Sequence, residues 1–149
     1  MIHAINHWGN KMWEKTIKKR YPGVKKEQVW NLWKDVNNWA KWNTEVETSV
    51  LLDKFEKGGV IELKLKQVPA VKLILEQVQE NVSFTECAQL PGAKLFRKSE
   101  MVETEGGLEV KVTISISGAA YFMWVNAVGE KVTAKILGQL DAMIEFINI

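Results

Sequence analysis

Alternating apolar and polar positions dominate the chain for about seventy residues after Asn43. Six runs show this two-residue period, and most of them end at a turn signal such as Gly58-Gly59, Pro69 or Pro91-Gly92. The clearest run is LEVKVTISIS, whose apolar face holds Leu108, Val110, Val112, Ile114 and Ile116. The pattern predicts six consecutive antiparallel strands, each with one buried and one hydrated face.

The segment before these runs predicts one more strand and two short helices. Residues 11–21, KMWEKTIKKRY, carry apolar side chains at even spacing among many lysines, which favours an edge strand with one hydrated face. Pro22 and Gly23 end it, and from Lys25 the apolar spacing becomes helical. The Asn37-Asn38 pair divides this part into two short helices.

The last thirty residues predict a long helix that starts near Ala119, just after Gly118. Gly129 and Gly138 lie inside this helix at a cost of about 1 kcal/mol each, which suggests a bend or a close approach to the sheet. One apolar stripe runs along the helix: Val125, Val128, Val132, Ile136, Leu140, Met143 and Ile147.

These elements predict an α+β fold, in which a curved antiparallel sheet of about seven strands is covered by the C-terminal helix. Such a sheet seldom closes tightly along the whole helix, so an apolar cavity is expected between them. We expect residues 1–149 to form a single domain, with residues 1–10 as a loosely ordered N-terminal extension.

Composition and charge narrow the function classes only slightly. The chain is 46% hydrophobic and 26% charged, which is typical of an ordinary soluble globular protein, and its net charge of +2 decides nothing about partners. The basic stretch at residues 11–26 is best explained as a hydrated strand face. Neither a signal peptide nor a membrane span is expected. The one cysteine, Cys87, excludes an internal disulfide and fits a small buried side chain in a cytoplasmic protein.

The segment VWNLWKDVNNWAKWN, residues 29–43, resembles a motif of the START-like superfamily: a Val-Trp pair, an aspartate, and two tryptophans spaced by two residues. Gly58-Gly59, LPGA at residues 90–93, and Gly118 support this resemblance, which covers residues 11–148. The polyketide cyclase/dehydrase-like subgroup is the most similar. The resemblance implies the helix-grip fold and a cavity between sheet and C-terminal helix that holds a small hydrophobic molecule. Because the loop after the second strand has only two glycines, a phosphate-cradling role for it is doubtful.

The four tryptophans of this segment have different expected roles. Trp30 and Trp33 share a helical stripe with Val29, which favours core packing. Trp39 and Trp42 follow the Asn-Asn break, where each could close the fold or face a ligand.

The candidate ligand-binding residues come from two strands and the C-terminal helix, and plain core packing is the alternative for each of them. Tyr121 could donate a hydrogen bond from the start of the helix. The full set is Trp39, Trp42, Leu73, Leu75, Arg97, Val112, Ile114, Ile116, Tyr121, Val125, Val128 and Val132.

The stretch FRKSEM leaves one orientation open. In a strand, either Arg97 or the Lys98 and Glu100 pair must face inward. An inward Arg97 could bind a carboxylate or an enolate, whereas an outward Arg97 would form a cross-strand ion pair. Glu62 and Glu86 raise the same question.

No catalytic residue, metal ligand set or cofactor motif is assigned. The only histidines, His3 and His7, lack a cysteine or carboxylate cluster around them, and no internal histidine can serve Cys87 or a serine as a base. No nucleotide is implied either.

Three functions remain open. The first is a binding module that sequesters or carries a small hydrophobic molecule. The alternative is a polyketide cyclase/aromatase or dehydrase-type enzyme that uses Arg97 or Glu100. The third is an interaction protein, for example a homodimer formed through the basic edge at residues 11–26. Neither nucleic-acid binding nor integral membrane association is expected.

Overall fold

The computed structural model describes residues 3–5 and 11–148, and eight strands of that part form one antiparallel sheet. Across the sheet the strand order is β1-β2-β8-β7-β6-β5-β4-β3. The strands are β1 (His3–Ile5), β2 (Lys11–Tyr21), β3 (Val46–Leu51), β4 (Val60–Leu65), β5 (Val71–Gln79), β6 (Ser83–Leu90), β7 (Ala93–Thr104) and β8 (Gly107–Ser117).

The helices lie where the sequence predicts them. Helix α1 spans Lys26–Lys34, and a short 3₁₀ helix spans Val36–Lys41. The C-terminal helix consists of three consecutive segments: an α-helical turn at Tyr121–Trp124, a π-helical turn at Val125–Gly129, and an α-helix at Glu130–Ile147. The predicted fold class, a curved antiparallel sheet with a long C-terminal helix, is confirmed.

The N-terminal ten residues carry one strand that the sequence did not predict. Strand β1 pairs with Lys11–Trp13 at the outer edge of β2. The remainder of the predicted loose extension, residues 1, 2 and 6–10, lies outside the described residues. The single-domain assignment for residues 1–149 stays a prediction.

Alternation along β8 defines the inner face of the sheet, which the C-terminal helix covers. All five predicted apolar positions of this strand, from Leu108 to Ile116, are at most 1% exposed. Because directly paired residues point to the same face of the sheet, the pairing register identifies which residues of the neighbouring strands face inward. Trp13 lies opposite Ile116 in β2, and Arg97 lies opposite Ile114 in β7.

Polar contacts fix the C-terminal helix over the β2 side of the sheet. Asp141 Oδ1 accepts a hydrogen bond from the Tyr21 hydroxyl at 2.7 Å and another from Lys19 Nζ at 2.9 Å. These two donors lower the pKa of Asp141 below its ordinary value. Further toward the start of the helix, Lys15 Nζ lies 3.8 Å from Glu130. Since the helix packs chiefly on β2 and β8, the inner faces of β4, β5 and β6 are covered less completely.

The buried side of the C-terminal helix differs in part from the predicted stripe. Val125, Ile136, Leu140 and Met143 are buried as predicted, whereas Val128, Val132 and Ile147 are half-buried. Thr133 and Ile144 are buried in addition. The π-helical turn at Val125–Gly129 shifts the phase of the helix, which a regular 3.6-residue period does not anticipate.

Of the two helix glycines, only Gly129 meets the expectation of a close approach to the sheet. A Cβ on Gly129 would lie 3.0 Å from the Trp13 ring and 3.1 Å from Ile116. A Cβ on Gly138 would meet no atom within 4 Å. The prediction is therefore confirmed for Gly129 and wrong for Gly138, which is exposed.

We expect the two glycine-to-alanine variants to change stability in opposite directions. Gly138→Ala should stabilise the protein by about 0.5–1 kcal/mol, because alanine favours the helix and meets open space. Gly129→Ala should destabilise it by about 1–3 kcal/mol, because the added methyl group pushes on Trp13 and Ile116. Urea unfolding of the three proteins measures both changes, and a stabilised Gly129→Ala variant would contradict the packing at the π-helical turn.

The described part of the chain contains no helix that is both long and apolar enough to cross a membrane.

Candidate ligand site

The C-terminal helix covers the inner faces of β4, β6 and β7 incompletely, and we call the partly uncovered region between the helix and these strands the groove. Five inward-facing apolar side chains of these strands are only half-buried, whereas Ile61, Phe84, Ala93 and Met101 on the same face are buried. One stripe of the helix is likewise half-buried. We define the groove by the sheet residues Leu63, Leu65, Ala88, Leu90 and Leu95 and by the helix residues Trp124, Val128, Val132 and Gln139.

Two contacts hold the helix across this groove. Lys135 Nζ lies 3.0 Å from Glu45, which precedes β3. At the other end, the Trp124 indole donates a hydrogen bond to the Pro91 carbonyl oxygen at 2.8 Å. Pro91 is in the turn between β6 and β7, so the helix is anchored on both sides of the groove without filling it.

Three polar side chains lie together at the floor of the groove. Glu86 of β6 and Arg97 of β7 are direct cross-strand partners on the inner face of the sheet. Arg97 Nη1 and Nη2 donate hydrogen bonds of 3.3 and 3.2 Å to Gln139 Oε1 of the helix. The register therefore answers the orientation question of FRKSEM, since it is Arg97 that faces inward. We call Glu86, Arg97 and Gln139 the polar floor.

Lys98 and Glu100 face the opposite side of the sheet. Glu100 forms ion pairs of 3.6 Å with Lys98 and with Lys111 of β8. Glu62 is exposed as well. The cross-strand ion pair weighed for this strand thus exists, but it joins Glu100 to Lys111 of β8 and does not involve Arg97.

The Glu86 carboxyl is largely buried and accepts no hydrogen bond from the described residues. Its residue is 7% exposed, and among the described residues no hydrogen bond and no ion pair within 4.0 Å reaches it. Burial raises the pKa of Glu86 from 4.5 to about 7, although the Arg97 charge acts in the opposite direction. At neutral pH the Glu86 carboxyl is therefore divided between its protonated and ionised forms.

Burial also disfavours the charged form of Arg97. Burial lowers the pKa of its guanidinium below the ordinary value, and the charge of Glu86 opposes that shift. The side chain nevertheless keeps some accessible surface, which it shows to the groove. Since arginine stays protonated in proteins, the polar floor carries a positive charge whose hydrogen-bonded neighbour is a neutral amide.

An aromatic cluster adjoins the polar floor on the side of α1. Phe84, two positions from Glu86 on the same face of β6, packs edge to face on Trp33 at 5.3 Å and on Phe55 at 5.2 Å. Trp30 completes the cluster at 5.7 Å from Phe55. Trp30 and Trp33 are 3–4% exposed, so the core role predicted for them is confirmed.

Trp39 and Trp42 differ in their surroundings. Trp39 is 7% exposed, and its indole donates a hydrogen bond of 3.0 Å to the Trp33 carbonyl oxygen. It closes the fold at the 3₁₀ helix. Trp42 is half-buried and packs against the core with one face still accessible. Of these two candidates, Trp42 is the one that can still contact a ligand in this conformation.

The other predicted ligand-binding residues divide by burial. Arg97, Val128 and Val132 line the groove, and Tyr121 is half-buried at the start of the helix beside Phe122. Leu73 is 7% exposed on the inner face of β5. The remaining five are at most 1% exposed, and their role in lining a ligand site stays a prediction: Leu75, Val112, Ile114, Ile116 and Val125.

Glu86 and Gln139 are the site residues that the sequence analysis underweighted or missed. A usable signal existed for Glu86, because Phe84, Glu86, Ala88 and Leu90 alternate as the inner face of SFTECAQL. Cys87, on the other face, is 6% exposed, and the prediction that it is buried is confirmed. Within residues 11–148 no group of three metal-ligating side chains occurs.

Solved structures with the same architecture are numerous and distant in sequence. Ara h 8.0201 superposes with a TM-score of 0.73 at 12% identity, over 91% of this chain and 97% of that chain. The uncharacterised protein SA2116 from Staphylococcus aureus gives 0.71 at 14% identity, over 95% and 97%. The di-domain ARO/CYC StfQ from the steffimycin biosynthetic pathway gives 0.76 at 8% identity, over 92% of this chain and 51% of that chain. No curated protein sequence is significantly similar.

A curved antiparallel sheet, a C-terminal helix held across it and an apolar groove between them define a protein of the helix-grip class. The chain belongs to the family described as polyketide cyclase / dehydrase and lipid transport, whose model matches residues 23–141. The START-like resemblance predicted from the tryptophan segment is thereby confirmed. The family supports hydrophobic-ligand binding or cyclase activity as the class of function.

Proposed function

We propose that this protein binds and carries a small, largely apolar molecule in the groove between the sheet and the C-terminal helix. The observation that carries the proposal is the set of half-exposed apolar side chains on the inner face of the sheet, such as Leu63, Ala88 and Leu95. Water in contact with these side chains is unfavourable, by roughly 25 cal/mol for each Å² of apolar surface. A ligand that displaces this water gains that free energy without unfolding any element.

Native mass spectrometry of the protein purified from its own host tests this proposal directly. We expect a retained small molecule that denaturing conditions release. A parallel titration uses 2-naphthol as a neutral aromatic probe, with tryptophan fluorescence as the signal, because Trp42 and Trp124 are only half-buried. If no molecule is retained, and 2-naphthol and 1-decanol change neither fluorescence nor melting temperature, the carrier function is wrong.

A substitution that fills the groove should abolish binding of the probe. Ala88 lies between Leu73 and Leu95 on the inner face and is half-buried. We expect Ala88→Phe to weaken 2-naphthol binding at least tenfold, because the added ring occupies the ligand's volume. Isothermal titration calorimetry measures the affinity.

Ala134→Phe is the matched control, since Ala134 lies on the exposed side of the C-terminal helix and the variant adds the same ring outside the groove. Equal affinity of Ala88→Phe and Ala134→Phe would place the probe elsewhere on the protein.

The second candidate function is an enzyme of the cyclase/aromatase or dehydrase type. The polar floor favours it, because a carboxyl that is half-protonated at neutral pH can donate or accept a proton beside a guanidinium that stabilises an enolate. Of the two residues first considered for this role, Arg97 is retained and the outward-facing Glu100 is replaced by Glu86. Conversion of a poly-β-ketone to an aromatic product, lost in Glu86→Gln, would support the enzyme.

A cytoplasmic location agrees with the single cysteine, and a homodimer through β2 is disfavoured by the exposed lysines at positions 15, 18 and 19. Nucleic-acid binding is not proposed, because Trp30, Trp33 and Trp39 are buried and offer no stacking surface.

A further inference from the structure

The two charged side chains of the polar floor, Glu86 and Arg97, do not form an ion pair with each other. Cross-strand neighbours of opposite charge normally form a direct ion pair, yet Arg97 turns its guanidinium to Gln139. Both terminal nitrogens donate to the same amide oxygen, at 3.2 and 3.3 Å. Bonds between a guanidinium and a carboxylate are shorter, about 2.7–2.9 Å, and usually paired. The guanidinium fork is thus directed at a weak, neutral acceptor.

We propose that the ligand carries a carboxylate on an apolar body, that Arg97 binds this carboxylate with both terminal nitrogens, and that the protonated Glu86 carboxyl donates a hydrogen bond to it. Gln139 occupies the place of this head in the unliganded groove and rotates away when the ligand enters. This inference rests on the proposed carrier function and adds the chemical class of its ligand. The apolar body then lies along Leu63, Ala88 and Leu95.

The charges around the site select a single carboxylate over a phosphate. Within the described residues, Arg97 is the one charged group that lies close enough to Glu86 to influence its pKa. The other elements that face it contribute apolar or neutral groups, namely Leu75 opposite Glu86 on β5, Phe84 on β6 and Gln139 on the helix. Lys135, the nearest lysine along the helix, is already paired with Glu45. One cation and one proton donor match a monoanion with two oxygens.

In the proposed geometry, ligand binding depends on the protonation state of Glu86. An ionised Glu86 would lie beside the bound carboxylate as a second negative charge, so the ligand must take up a proton at Glu86 or bind the form that already has it. Affinity should therefore be greatest at pH values where the ligand is ionised and Glu86 is protonated. Above pH 7 it should fall by about tenfold per pH unit, because the competent fraction falls by that factor.

The test compares decanoate with 1-decanol, two probes that share the same alkyl chain. At pH 6 we expect the wild-type protein to bind decanoate at least tenfold more tightly than 1-decanol. Arg97→Gln should remove this preference, because it weakens decanoate binding at least tenfold more than it weakens 1-decanol binding. Lys98→Gln is the matched control, because Lys98 is the next residue of β7 and faces outward.

A second measurement does not depend on folding of the arginine variant. Decanoate affinity of the wild-type protein should fall from pH 6.5 to pH 8.5, whereas in Glu86→Gln it should stay level across the same range. If 1-decanol binds as tightly as decanoate and neither affinity depends on pH, the carboxylate assignment is wrong and the carrier function stands. If neither probe nor 2-naphthol binds, the carrier function itself is wrong.

Discussion

Replacing Glu86 by glutamine should stabilise the unliganded protein at pH 8 and leave its stability nearly unchanged at pH 4. Glutamine has almost the same shape as glutamate and can never ionise in the groove. With the pKa of Glu86 raised from 4.5 to about 7, ionisation of the buried carboxyl costs the folded state about 3 kcal/mol at high pH. The variant removes that cost, and we expect the melting temperature to rise by about 2–4 °C for each kcal/mol recovered.

The sign of this effect follows from the protons bound in each state. Between pH 4.5 and pH 7 the folded protein keeps a proton on Glu86 that the unfolded chain has already lost. Stability of the wild-type protein therefore falls as the pH rises through this window, and above it the loss is complete. In Glu86→Gln this contribution is absent, so the difference between the two proteins grows across the same window and then stays constant.

Urea unfolding at pH 4, 5, 6, 7 and 8 measures the difference. Glu62→Gln is the matched control, because it removes an exposed carboxyl from the outward-facing side of the same sheet. A difference between Glu86→Gln and the wild type that is independent of pH would mean that Glu86 is hydrated in the folded protein, and the polar floor would then not be desolvated.

Most of the architecture could be predicted because its signals are local. Each strand from β3 to β8 lies within a few residues of an alternating run, and most of the strand ends lie within two residues of glycine, proline or asparagine. Strand β1 has no such run, since three residues paired with Lys11–Trp13 leave no period to detect. The π-helical turn at Val125–Gly129 escaped for a related reason, because a single extra residue in one turn does not change the apolar composition of the helix.

The site was less predictable, because it depends on which strands meet. Alternation in FRKSEM limits the inner face to two choices, but only the pairing of Arg97 with Ile114 selects between them. Glu86 carried a detectable signal, an acid on the apolar face of its strand, whereas the approach of Gln139 depends on the exact rotation of the C-terminal helix. Long-range register and helix phase are the two quantities that a sequence pattern leaves undetermined.

The predicted ligand-binding residues also divide into two groups, one that borders the groove and one that is fully buried. Val128 and Val132 were selected as members of the helix stripe and line the groove because they lie at its margin. Ile114 and Ile116 were selected by the same logic, yet they lie directly beneath the helix and are fully buried. Apolar periodicity identifies the face of an element, and it does not distinguish the part that is covered from the part that borders an opening.

Truncation of Trp39 should have a large effect on stability and a small effect on ligand binding. The ring is 7% exposed and its indole nitrogen is hydrogen-bonded to the Trp33 carbonyl oxygen, so Trp39→Ala leaves both a cavity and a buried acceptor without its donor. We expect a loss of about 3–5 kcal/mol in the free energy of unfolding. The affinity of the remaining folded protein for 2-naphthol should stay within twofold of the wild type, because this ring closes the core and does not border the groove.

Trp42→Ala is the matched substitution three residues further along. Its half-buried ring contributes less to the core, so the expected loss of stability is about 1–2 kcal/mol, at the low end for large aromatic truncations. Urea unfolding of both variants measures how much each tryptophan stabilises the core, and calorimetry with 2-naphthol measures whether it contacts the ligand. If Trp39→Ala were as stable as Trp42→Ala and lost its affinity for 2-naphthol, Trp39 would contact the ligand directly, and the groove would have to extend beneath the 3₁₀ helix.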